Sequence, residues 1–592
     1  MTNQEIARIL NNIAIYLDMD GVAFKPRAYE KAAEVILDLA EPVQNIYKNG
    51  GLKALEEIPG VGISIAEKIE ELIETRKMKY YEELKKKIPV DLESLGRIER
   101  LGPKSIKKLY KELGIKNLEE LKKSARAHRI KNLEGFGEKS EQKILKGIEF
   151  AEKSGGRFIL GFAESQIKDI EKQLRSLKEV QEIVVAGSAR RKKETIGDVD
   201  ILVVANKPKL VMDYFVSMKE VIKVNAHGET KSAVKLDNGL NADLRVVSAE
   251  SYGAALNYFT GSKNHNIVLR EIAIKKGYKL NEYGLYKNQK LIRQLADKNQ
   301  NDGNWIMIAG KNEEEIYDKL GMDYIEPEMR EDWGEIDLAR KHQLPKLISY
   351  GSLKGDLQVQ TNWTDGNNSI EEMAKAAMER GLEYIVITDH TKRLAMTNGL
   401  NEKRIKEQWK EIDKINEGFR VKGLGFRALK GTECDILKDG SLDLPDEILS
   451  QLDVAGVSVH SHFNLSRKDQ TERIRRAMNN KNVDILFHPT GRLLNKREPY
   501  AVDMEAIIKE AKKTAVVLEI NGCPARADLK DEYIKKCVEA GVKMTIDSDA
   551  HSANHFSYLE YGIAQARKGW ATKNDIVNAW NWDKAKKMLK RH

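Results

Sequence analysis

Short apolar strands alternate with amphipathic helices through residues 347–592, and this regularity restricts the fold more than any other feature. Segments such as EYIVITDH (383–390), VDILFHPTG (483–491) and VKMTIDSDAH (542–551) each end in polar or ionisable residues. Repeated βα units of this kind predict a parallel β/α barrel, in which the carboxyl ends of the strands gather into one site.

The residues at these strand ends form a chemically consistent set. They are His390, Glu433, His460, His488, Asp549 and His551. Imidazoles and carboxylates together are the ligands that Zn²⁺ or Mn²⁺ accepts, so the pattern predicts a metal site at the barrel mouth.

Two aspartates, Asp198 and Asp200, follow a Gly-Ser turn and a basic loop in VQEIVVAGSARRKKETIGDVDILVVA (180–205). Residues i and i+2 of a strand project from the same face, so both carboxylates point at one spot. Neighbouring carboxylates repel each other unless cations lie between them, which predicts bound Mg²⁺ or Mn²⁺.

A third strand, LNADLRVVS (240–248), places Asp243 between apolar neighbours and is predicted to complete this cluster. Three carboxylates on neighbouring strands suit phosphoryl transfer with two metal ions. Gly187, Ser188 and Arg191 are then expected to hold a triphosphate.

Three related segments place a glycine turn between an apolar helix end and a periodic helix: 55–74, 95–114 and 130–149. They resemble the helix-hairpin-helix motif, whose backbone N–H groups grip DNA phosphates without reading sequence. The turn glycines expected to bind DNA are Gly60, Gly62, Gly102, Gly135 and Gly137. The second copy departs from the pattern, with Arg100 in place of the first glycine. Residues 71–150 carry 21 Lys or Arg against 14 Asp or Glu, which favours a phosphate partner. Ordinary αα-hairpins with a solvated basic face remain an alternative.

Residues 1 to about 335 resemble the family X DNA polymerases. GSARR…GDVD resembles the palm motif of that family, NADLRVV its third aspartate strand, and YFTGSKNHNIVLREIAIKKGYKLNEYGL (258–285) its thumb. The resemblance implies nucleotide-binding roles for Tyr258, Phe259, Gly261, Asn266 and Arg270.

The N-terminal segment resembles the deoxyribose-phosphate lyase domain of the same family. That resemblance places Lys68 at the Schiff-base position, and Lys25 and Tyr29 where the 5′-phosphate binds and the site is supported. A plain DNA-phosphate contact is the alternative role for Lys68.

Residues 347–592 resemble the PHP (polymerase and histidinol phosphatase) domain, a distorted barrel with a trinuclear metal centre and phosphoesterase or 3′–5′ exonuclease activity. The family ligand pattern falls on the strand-end residues above and on Asp365, but its first two histidines are replaced by Gln358 and Gln360. A neutral amide is a poor ligand for Zn²⁺ or Mn²⁺. We therefore expect reduced metal occupancy and an exonuclease that is absent or impaired. Recent loss of the histidines, their deliberate replacement and residual metal binding with a structural role all remain open.

These patterns predict a multidomain protein of α+β and α/β class, comprising helical lyase and helix-hairpin-helix domains, a nucleotidyltransferase palm with thumb, and a C-terminal distorted (β/α) barrel. The predicted boundaries are 1–80 (lyase-like), 81–150 (hairpin domain), 151–255 (palm), 256–335 (thumb), 336–346 (linker) and 347–592 (barrel). Three scattered cysteines and the lack of an apolar run of membrane-spanning length favour a cytoplasmic protein without a membrane partner.

We expect a template-directed DNA polymerase that fills short gaps in DNA repair, a monomer that binds gapped or primed DNA and deoxynucleoside triphosphates. A DNA-binding scaffold whose working part is the barrel phosphoesterase is one alternative. A template-independent nucleotidyltransferase is another, although the hairpins and Arg270 favour a template.

Overall fold

The computed structural model describes residues 1, 3–39, 41–96, 98, 101–153, 156–288 and 305–589, so Arg100 lies outside the described residues. The chain divides into two compact units. The first comprises Met1–Gly156, Arg492–Pro499 and Ala550–Phe556, and the second comprises Arg157–Gly491, Tyr500–Asp549 and Ser557–His592.

The first unit is helical through residues 1–153. Its helices are α1 (Asn3–Asp20), α2 (Lys25–Asp38), α3 (Val43–Glu56), α4 (Ile63–Thr75), α5 (Lys79–Lys87), α6 (Leu92–Leu95), α7 (Pro103–Leu113), α8 (Leu118–Arg126) and α9 (Glu138–Lys153). In α1, the side chains of Ile6, Leu10, Ile13 and Leu17 recur every three or four residues and are at most 3% exposed. Burial of one such apolar stripe per helix drives their packing.

The second unit begins with a mixed sheet, which is the predicted palm. Its elements are β1 (Phe158–Ile159), α10 (Leu160–Arg175), β2 (Val180–Val185), α11 (Gly187–Arg190), β3 (Thr195–Ile196), β4 (Asp198–Ala205), α12 (Pro208–Ser217), β5 (Val221–His227), β6 (Lys231–Leu236) and β7 (Asn241–Val247). The strand order is β2-β4-β7-β6-β5, while β1 pairs with β3. Strands β4 and β7 are parallel neighbours at the centre of the sheet, and this pairing sets the positions of the predicted aspartates.

The region of the predicted thumb (256–335) follows, although its first helix begins at Tyr252 and its last ends at Arg340. Its elements are α13 (Tyr252–Thr260), α14 (Lys263–Lys275), β8 (Tyr278–Asn281), β9 (Gly284–Asn288), β10 (Trp305–Ala309), α15 (Glu313–Leu320) and α16 (Glu335–Arg340). The last helix begins at Glu335 and extends into the segment 336–346 that the sequence assigns to a linker. Ile336 and Ala339 of α16 are buried in the same apolar cluster as Leu269 and Ile316, so this part of the segment packs on the thumb.

Residues 347–589 form the predicted barrel. Its elements are β11 (Gly355–Val359), α17 (Ile370–Glu379), β12 (Tyr384–Ile387), α18 (Glu402–Val421), β13 (Arg427–Asp435), α19 (Asp446–Leu449), β14 (Val454–Ser458), α20 (Arg467–Met478), β15 (Ile485–Leu486), α21 (Met504–Thr514), β16 (Val517–Asn521), α22 (Asp531–Ala540), β17 (Met544–Asp547), α23 (Leu559–Lys568) and α24 (Trp582–Leu589). The strands pair in parallel and in sequence order from β11 to β17, which confirms the predicted architecture.

Buried acids connect the first and last strands of the barrel. The Asp547 carboxylate accepts a 2.8 Å hydrogen bond from the backbone N–H of Leu357, and the Asp356 carboxylate accepts from the backbone N–H and hydroxyl of Ser548. Burial raises the pKa of Asp356 to about 7 and the pKa of Asp547 well above its usual value. The barrel is therefore nearly closed by side chains where β11 meets β17.

A helix that spans a membrane must be both long and apolar. Within the described ranges, none of the helices combines the length and the apolar character that crossing a membrane requires.

Candidate functional site

The palm brings the predicted aspartates together through strand register. Asp200 on β4 lies directly opposite Asp243 on β7, and Asp198 lies two residues before Asp200. Because i and i+2 share a face, the carboxylates of Asp198 and Asp200 are on the side of the sheet from which Asp243 also projects. The sheet therefore presents an acidic cluster at one end of its two central strands.

The local electrostatics of this cluster favour a bound cation. Burial, followed by repulsion from Asp198 and Asp243, raises the pKa of Asp200 to about 6. Lys231 on β6 lies 3.7 Å from the Asp243 carboxylate and offsets part of this charge. The donors are hard anionic oxygens, which fits Mg²⁺ or Mn²⁺.

The glycine of the Gly-Ser turn is in close contact with this cluster. Gly187 has φ +63°, and a Cβ at this position would lie 2.5 Å from Oδ2 of Asp200. Any larger residue would push the carboxylate aside or shift α11. The turn therefore requires glycine for both its backbone conformation and its space.

The basic residues after the turn contact the thumb. Arg191 donates from Nε to Glu331 at 3.0 Å and from a terminal nitrogen to the backbone carbonyl of Thr260. Its neighbour Arg190 donates to the Thr260 hydroxyl at 2.7 Å and to Glu313 at 2.6 Å. Arg190 was not singled out from the sequence, and its role is to join the palm turn to α13 and α15.

The predicted nucleotide-binding residues of the thumb cluster around the end of α13. Tyr258 is 37% exposed and packs edge-to-face on Phe259, with 5.1 Å between ring centroids. Arg245, two residues after Asp243, lies 4.5 Å over the Phe259 ring. This cation–π contact connects the acidic cluster to the aromatic pair.

The other residues predicted in this segment line the turn after α13. Gly261 has φ +73°, and a Cβ there would lie 3.0 Å from a terminal nitrogen of Arg191. Asn266 donates from its side chain to the backbone carbonyl of Tyr258 at 2.7 Å, and Arg270 donates from Nε to the backbone carbonyl of Asn266 at 3.2 Å. Ser188 belongs to α11, next to Gly187. Roles in nucleotide binding remain predictions for all of these residues.

In the helical unit, Lys68 lies on α4 with its ammonium 5.1 Å from the centre of the Tyr80 ring. The ammonium also donates to the backbone carbonyl and hydroxyl of Ser64, at 2.8 and 2.9 Å. Tyr80 stacks on Tyr29, with 6.4 Å between centroids, and burial raises the pKa of Tyr29 to about 12. Lys25 is exposed at the start of α2, four residues before Tyr29 and hence on its face. No sequence pattern indicated Tyr80, which bridges the predicted residues.

The hairpin glycines fall into two structural classes. Gly60 and Gly135 both have φ +81°, which disfavours other residues. Gly62 and Gly102 are the N-cap residues of α4 and α7 at ordinary φ, and a Cβ at these positions or at Gly137 would meet no atom within 4 Å. Steric restriction inside the protein therefore does not explain why positions 62, 102 and 137 hold glycine.

In the barrel, the predicted ligands surround the buried carboxylate of Glu433. Its Oε1 lies 2.7 Å from Nε2 of His488 and 3.0 Å from Nε2 of His460. Its Oε2 lies 3.6 Å from Nδ1 of His390. Although burial opposes it, these imidazoles lower the pKa of Glu433 well below its usual range. Ligand atoms of His390, Glu433 and His460 lie within 4.8 Å of one another, a spacing that a single metal ion could bridge.

Gln358 and Gln360 belong to the same cluster. Both amides donate to Oε2 of Glu433, at 3.1 and 2.8 Å, and both side chains are fully buried. Oε1 of Gln358 accepts from Asn521 at 3.2 Å. An amide N–H cannot bind a cation. The two positions that the family pattern gives to imidazole ligands therefore hold hydrogen-bond donors, both directed at Oε2 of Glu433.

The remaining predicted ligands are Asp365, Asp549 and His551, and each has polar partners of its own. Asp365 has a carboxylate oxygen 3.6 Å from Nε2 of His390. The Asp549 carboxylate accepts from Nε of Arg526 and from the Asn521 amide, both at 3.1 Å. His551 follows in the segment Ala550–Phe556, where its backbone N–H donates to Nδ1 of His555 at 3.2 Å.

Comparisons with known families match each of these regions. Residues 163–251 match the DNA polymerase beta palm, residues 255–331 the DNA polymerase beta thumb, and residues 356–571 the PHP domain. Residues 1–78 match a helix-hairpin-helix domain, and residues 92–149 match a SAM-like helix-hairpin-helix tandem.

A full-length relative decides the family. The DNA polymerase/3′-5′ exonuclease PolX of Bacillus subtilis (strain 168) is 36% identical over 595 residues, which covers 100% of both chains. The chain belongs to the family X DNA polymerases that carry a PHP domain. It is therefore a DNA polymerase that binds DNA and nucleotides and uses divalent metal ions.

Parts of the polymerase chain also match shorter curated proteins. A probable phosphatase of Thermoanaerobacter sp. (strain X514) is 28% identical over 233 residues, which is 38% of this chain and 88% of that protein. A probable phosphatase of Photobacterium profundum is 31% identical over 195 residues, or 31% of this chain and 73% of that protein.

Proposed function

We propose that this family X polymerase fills short gaps in DNA, with Asp198, Asp200 and Asp243 as the metal-binding residues of its palm. The observation that carries the proposal is the register of β4 and β7, which pairs Asp200 with Asp243. Burial, followed by repulsion from Asp198 and Asp243, raises the pKa of Asp200. Two bound Mg²⁺ or Mn²⁺ ions would activate the primer hydroxyl and stabilise the leaving pyrophosphate.

The chain's own residues would orient the nucleotide. Gly187 and Ser188 start α11, so their backbone N–H groups can face a triphosphate, and Arg191 supplies a guanidinium beside them. The exposed ring of Tyr258 provides a surface for the incoming sugar. Asn266 and Arg270 lie on the next helix, α14. We place the incoming base near Asn266 and the template strand near Arg270.

Gap filling is tested by comparing single-nucleotide incorporation on three substrates: a one-nucleotide gap with a 5′-phosphate, an open primer–template, and a single strand. We expect the highest kcat/KM on the gap, because the hairpins provide phosphate contacts on both sides of it. Equal kcat/KM on the gap and the open primer–template would contradict gap filling. Extension of the single strand at the same rate would instead support a template-independent transferase.

We further propose a deoxyribose-phosphate lyase activity at Lys68. The supporting observation is the row formed by Lys68, Tyr80 and Tyr29, with exposed Lys25 one turn from Tyr29. An amine nucleophile would form a Schiff base with the sugar aldehyde, and Lys25 would bind the 5′-phosphate.

Borohydride trapping on DNA with a 5′-deoxyribose phosphate tests this proposal. Lys68→Arg keeps the charge but removes the nucleophilic amine, so we expect most of the covalent adduct to be lost while DNA affinity is kept. Lys53→Arg on α3 is the matched control and is expected to trap normally. Undiminished trapping by Lys68→Arg would place the nucleophile elsewhere.

We propose that the PHP barrel has lost most of its hydrolytic activity through Gln358 and Gln360. Both amides donate to Glu433, the carboxylate at the centre of the ligand cluster. His390, Glu433 and His460 remain close enough to hold one Zn²⁺ or Mn²⁺ ion. A bound metal ion would generate hydroxide and polarise the phosphate. Because two ligands are missing, we expect lower metal occupancy and therefore less hydrolysis.

The double variant Gln358→His/Gln360→His tests this directly. Titration calorimetry with Mn²⁺ should show additional bound metal, and a 3′-labelled primer should then be degraded. Gln451→His, at an exposed position of the barrel, is the control and is expected to change neither property. Strong primer degradation by the unaltered barrel, in a chain carrying Asp198→Asn, would contradict the proposal.

A further inference from the structure

The barrel makes specific polar contacts with the palm loop that follows the Gly-Ser turn. This loop, Lys192–Glu194, is preceded by Arg191 and leads through β3 into the aspartate strand β4. The side chains of Lys193 and Glu194 contact the barrel helices α22 and α23, and that of Lys192 contacts α10. The contacts are formed within the second compact unit and join parts of the sequence more than 300 residues apart.

The first contact passes through Glu164 of α10. Lys192 lies 2.9 Å from one carboxylate oxygen of Glu164, and the hydroxyl of Tyr561 on α23 donates to the other. Although burial raises it, Lys192 and Tyr561 lower the pKa of Glu164, so its carboxylate stays charged and holds both groups. Nearby, a Cβ on Gly161 would lie 2.6 Å from Pro524, which shows that α10 packs tightly on the barrel here.

The second contact is direct. The side-chain amide of Gln565 on α23 donates to the Glu194 carboxylate at 2.8 Å. Gln565 is only 3% exposed, and its own oxygen accepts from Lys568 at 3.1 Å, so its orientation is fixed. The backbone carbonyl of Glu194 also accepts from the N–H of Leu160, which ties the loop to the start of α10.

The third contact is ionic. Lys193 lies 3.8 Å from the Asp531 carboxylate at the start of α22 and 3.4 Å from Glu331, the partner of Arg191. Asp531 is 4% exposed and is held by buried Lys568 at 3.0 Å. Each residue of the loop is therefore bonded either to a barrel residue or, for Lys192, to Glu164, which a barrel residue also contacts. Arg191 is bonded instead to Glu331 and to the carbonyl of Thr260.

We propose that Tyr561 and Gln565 of the PHP barrel are positioning residues for the polymerase reaction, because they fix the loop that follows α11, in which the backbone N–H of Lys193 donates to the carbonyl of Ser188 at 3.0 Å. The barrel then has a role in synthesis that needs no bound metal and no hydrolysis. This role gives a physical reason for a barrel that keeps its fold while two of its ligand positions hold glutamine. The inference rests on the proposed nucleotide site at Gly187, Ser188 and Arg191.

Steady-state incorporation on gapped DNA by the full-length chain tests the inference. Tyr561→Phe/Gln565→Ala removes two hydrogen bonds to carboxylates, and we expect the KM for the nucleotide to rise by roughly tenfold. DNA affinity should stay unchanged, because no DNA-binding residue is altered. A merely structural contact would lower the thermal unfolding temperature without separating KM for the nucleotide from DNA affinity.

Tyr533→Phe on α22 and Gln451→Ala on the barrel surface are the matched controls, and both should keep the parent KM. If the double variant does not fold, the single variant Tyr561→Phe serves instead, because it removes only one hydroxyl. It should still raise KM roughly threefold, which corresponds to part of the free energy of one hydrogen bond to a charged group. A KM within about 1.5-fold of the parent in each folded interface variant would overturn the inference, because loss of a charged hydrogen bond should exceed that. Arg191→Gln, measured in parallel, tests the proposed nucleotide site itself: an unchanged KM in that variant would refute the site, whereas an unchanged KM in the interface variants alone would refute this inference.

Discussion

At the scale of single residues, the palm depends on close contacts that allow little substitution. Gly187 combines a left-handed backbone with a Cβ position 2.5 Å from Asp200. Glu313 of the thumb is buried between two guanidiniums, 2.5 Å from Arg330 and 2.6 Å from Arg190. The Gly187 contact bears on the rate of catalysis, which kinetic measurements report. The Glu313 contacts bear on the stability of the surrounding structure, which unfolding measurements report.

Gly187→Ala should slow nucleotide incorporation by roughly a hundredfold or more, because it displaces a proposed metal-binding carboxylate and strains the turn by ~1–2 kcal/mol. The measurement is single-turnover incorporation at saturating nucleotide. Gly197→Ala is the matched control, since its Cβ would meet Arg157 at an ordinary 3.5 Å. A near-parent rate for Gly187→Ala would show that the Asp200 carboxylate can move without loss of catalysis.

Glu313 should make the polymerase core sensitive to acid. Although burial raises it, Arg330 and Arg190 lower the pKa of Glu313 to about 2, against an ordinary value of 4.5. Its contribution of about 3 kcal/mol is fully present above about pH 4.5 and is lost as the pH falls towards about 2. Glu313→Gln should lower the thermal unfolding temperature at neutral pH and flatten its fall in acid. Glu314→Gln, an exposed neighbour, should do neither, and an unchanged acid slope in Glu313→Gln would refute the assignment.

At the scale of elements, the hairpin glycines divide into those that serve the fold and those that do not. Gly60 and Gly135 serve the turn conformation, so their replacement would damage the free protein. Gly62, Gly102 and Gly137 have ordinary φ and open space, so neither the backbone conformation nor contacts within the protein require glycine there. The N-terminus of each following helix is where a DNA phosphate would approach.

Gly62→Ala/Gly102→Ala should leave the unfolding temperature nearly unchanged and weaken DNA binding by about tenfold, because methyl groups would block the approach of phosphates to the N–H groups. Fluorescence anisotropy over a series of salt concentrations is the measurement. The slope of log affinity against log salt should also become shallower. Gly425→Ala, an open glycine on the barrel, is the control. Unchanged affinity in the double variant would show that these hairpins are only structural.

At the scale of the whole molecule, the sequence predicted the architecture because each part carries a strong local pattern. Alternating βα units indicate the barrel, and the Asp-x-Asp strand with a third aspartate indicates the palm. The register that pairs Asp200 with Asp243 was not deducible, since strand pairing is a long-range property. The same limit explains why Tyr80 and Arg190 were missed: each acts by bridging residues that are distant in sequence.

The barrel shows a further limit of sequence patterns. The replacement of two histidines was visible in the sequence, but the sequence could not show that both glutamine amides donate to Glu433. Nor could it show the contacts of Tyr561 and Gln565 with the palm, because neither residue belongs to a motif. Interfaces between parts of one chain leave little trace in a single sequence.

The central claim is that DNA synthesis takes place at the acidic cluster of β4 and β7. The most direct measurement is the single-turnover rate of one-nucleotide incorporation into gapped DNA by Asp200→Asn, with Asp213→Asn as control. Asp213 is on the same palm but pairs with His227, away from the cluster. We predict that Asp200→Asn lowers the rate by several orders of magnitude, whereas Asp213→Asn stays within twofold of the parent. Near-normal incorporation by Asp200→Asn would contradict the account.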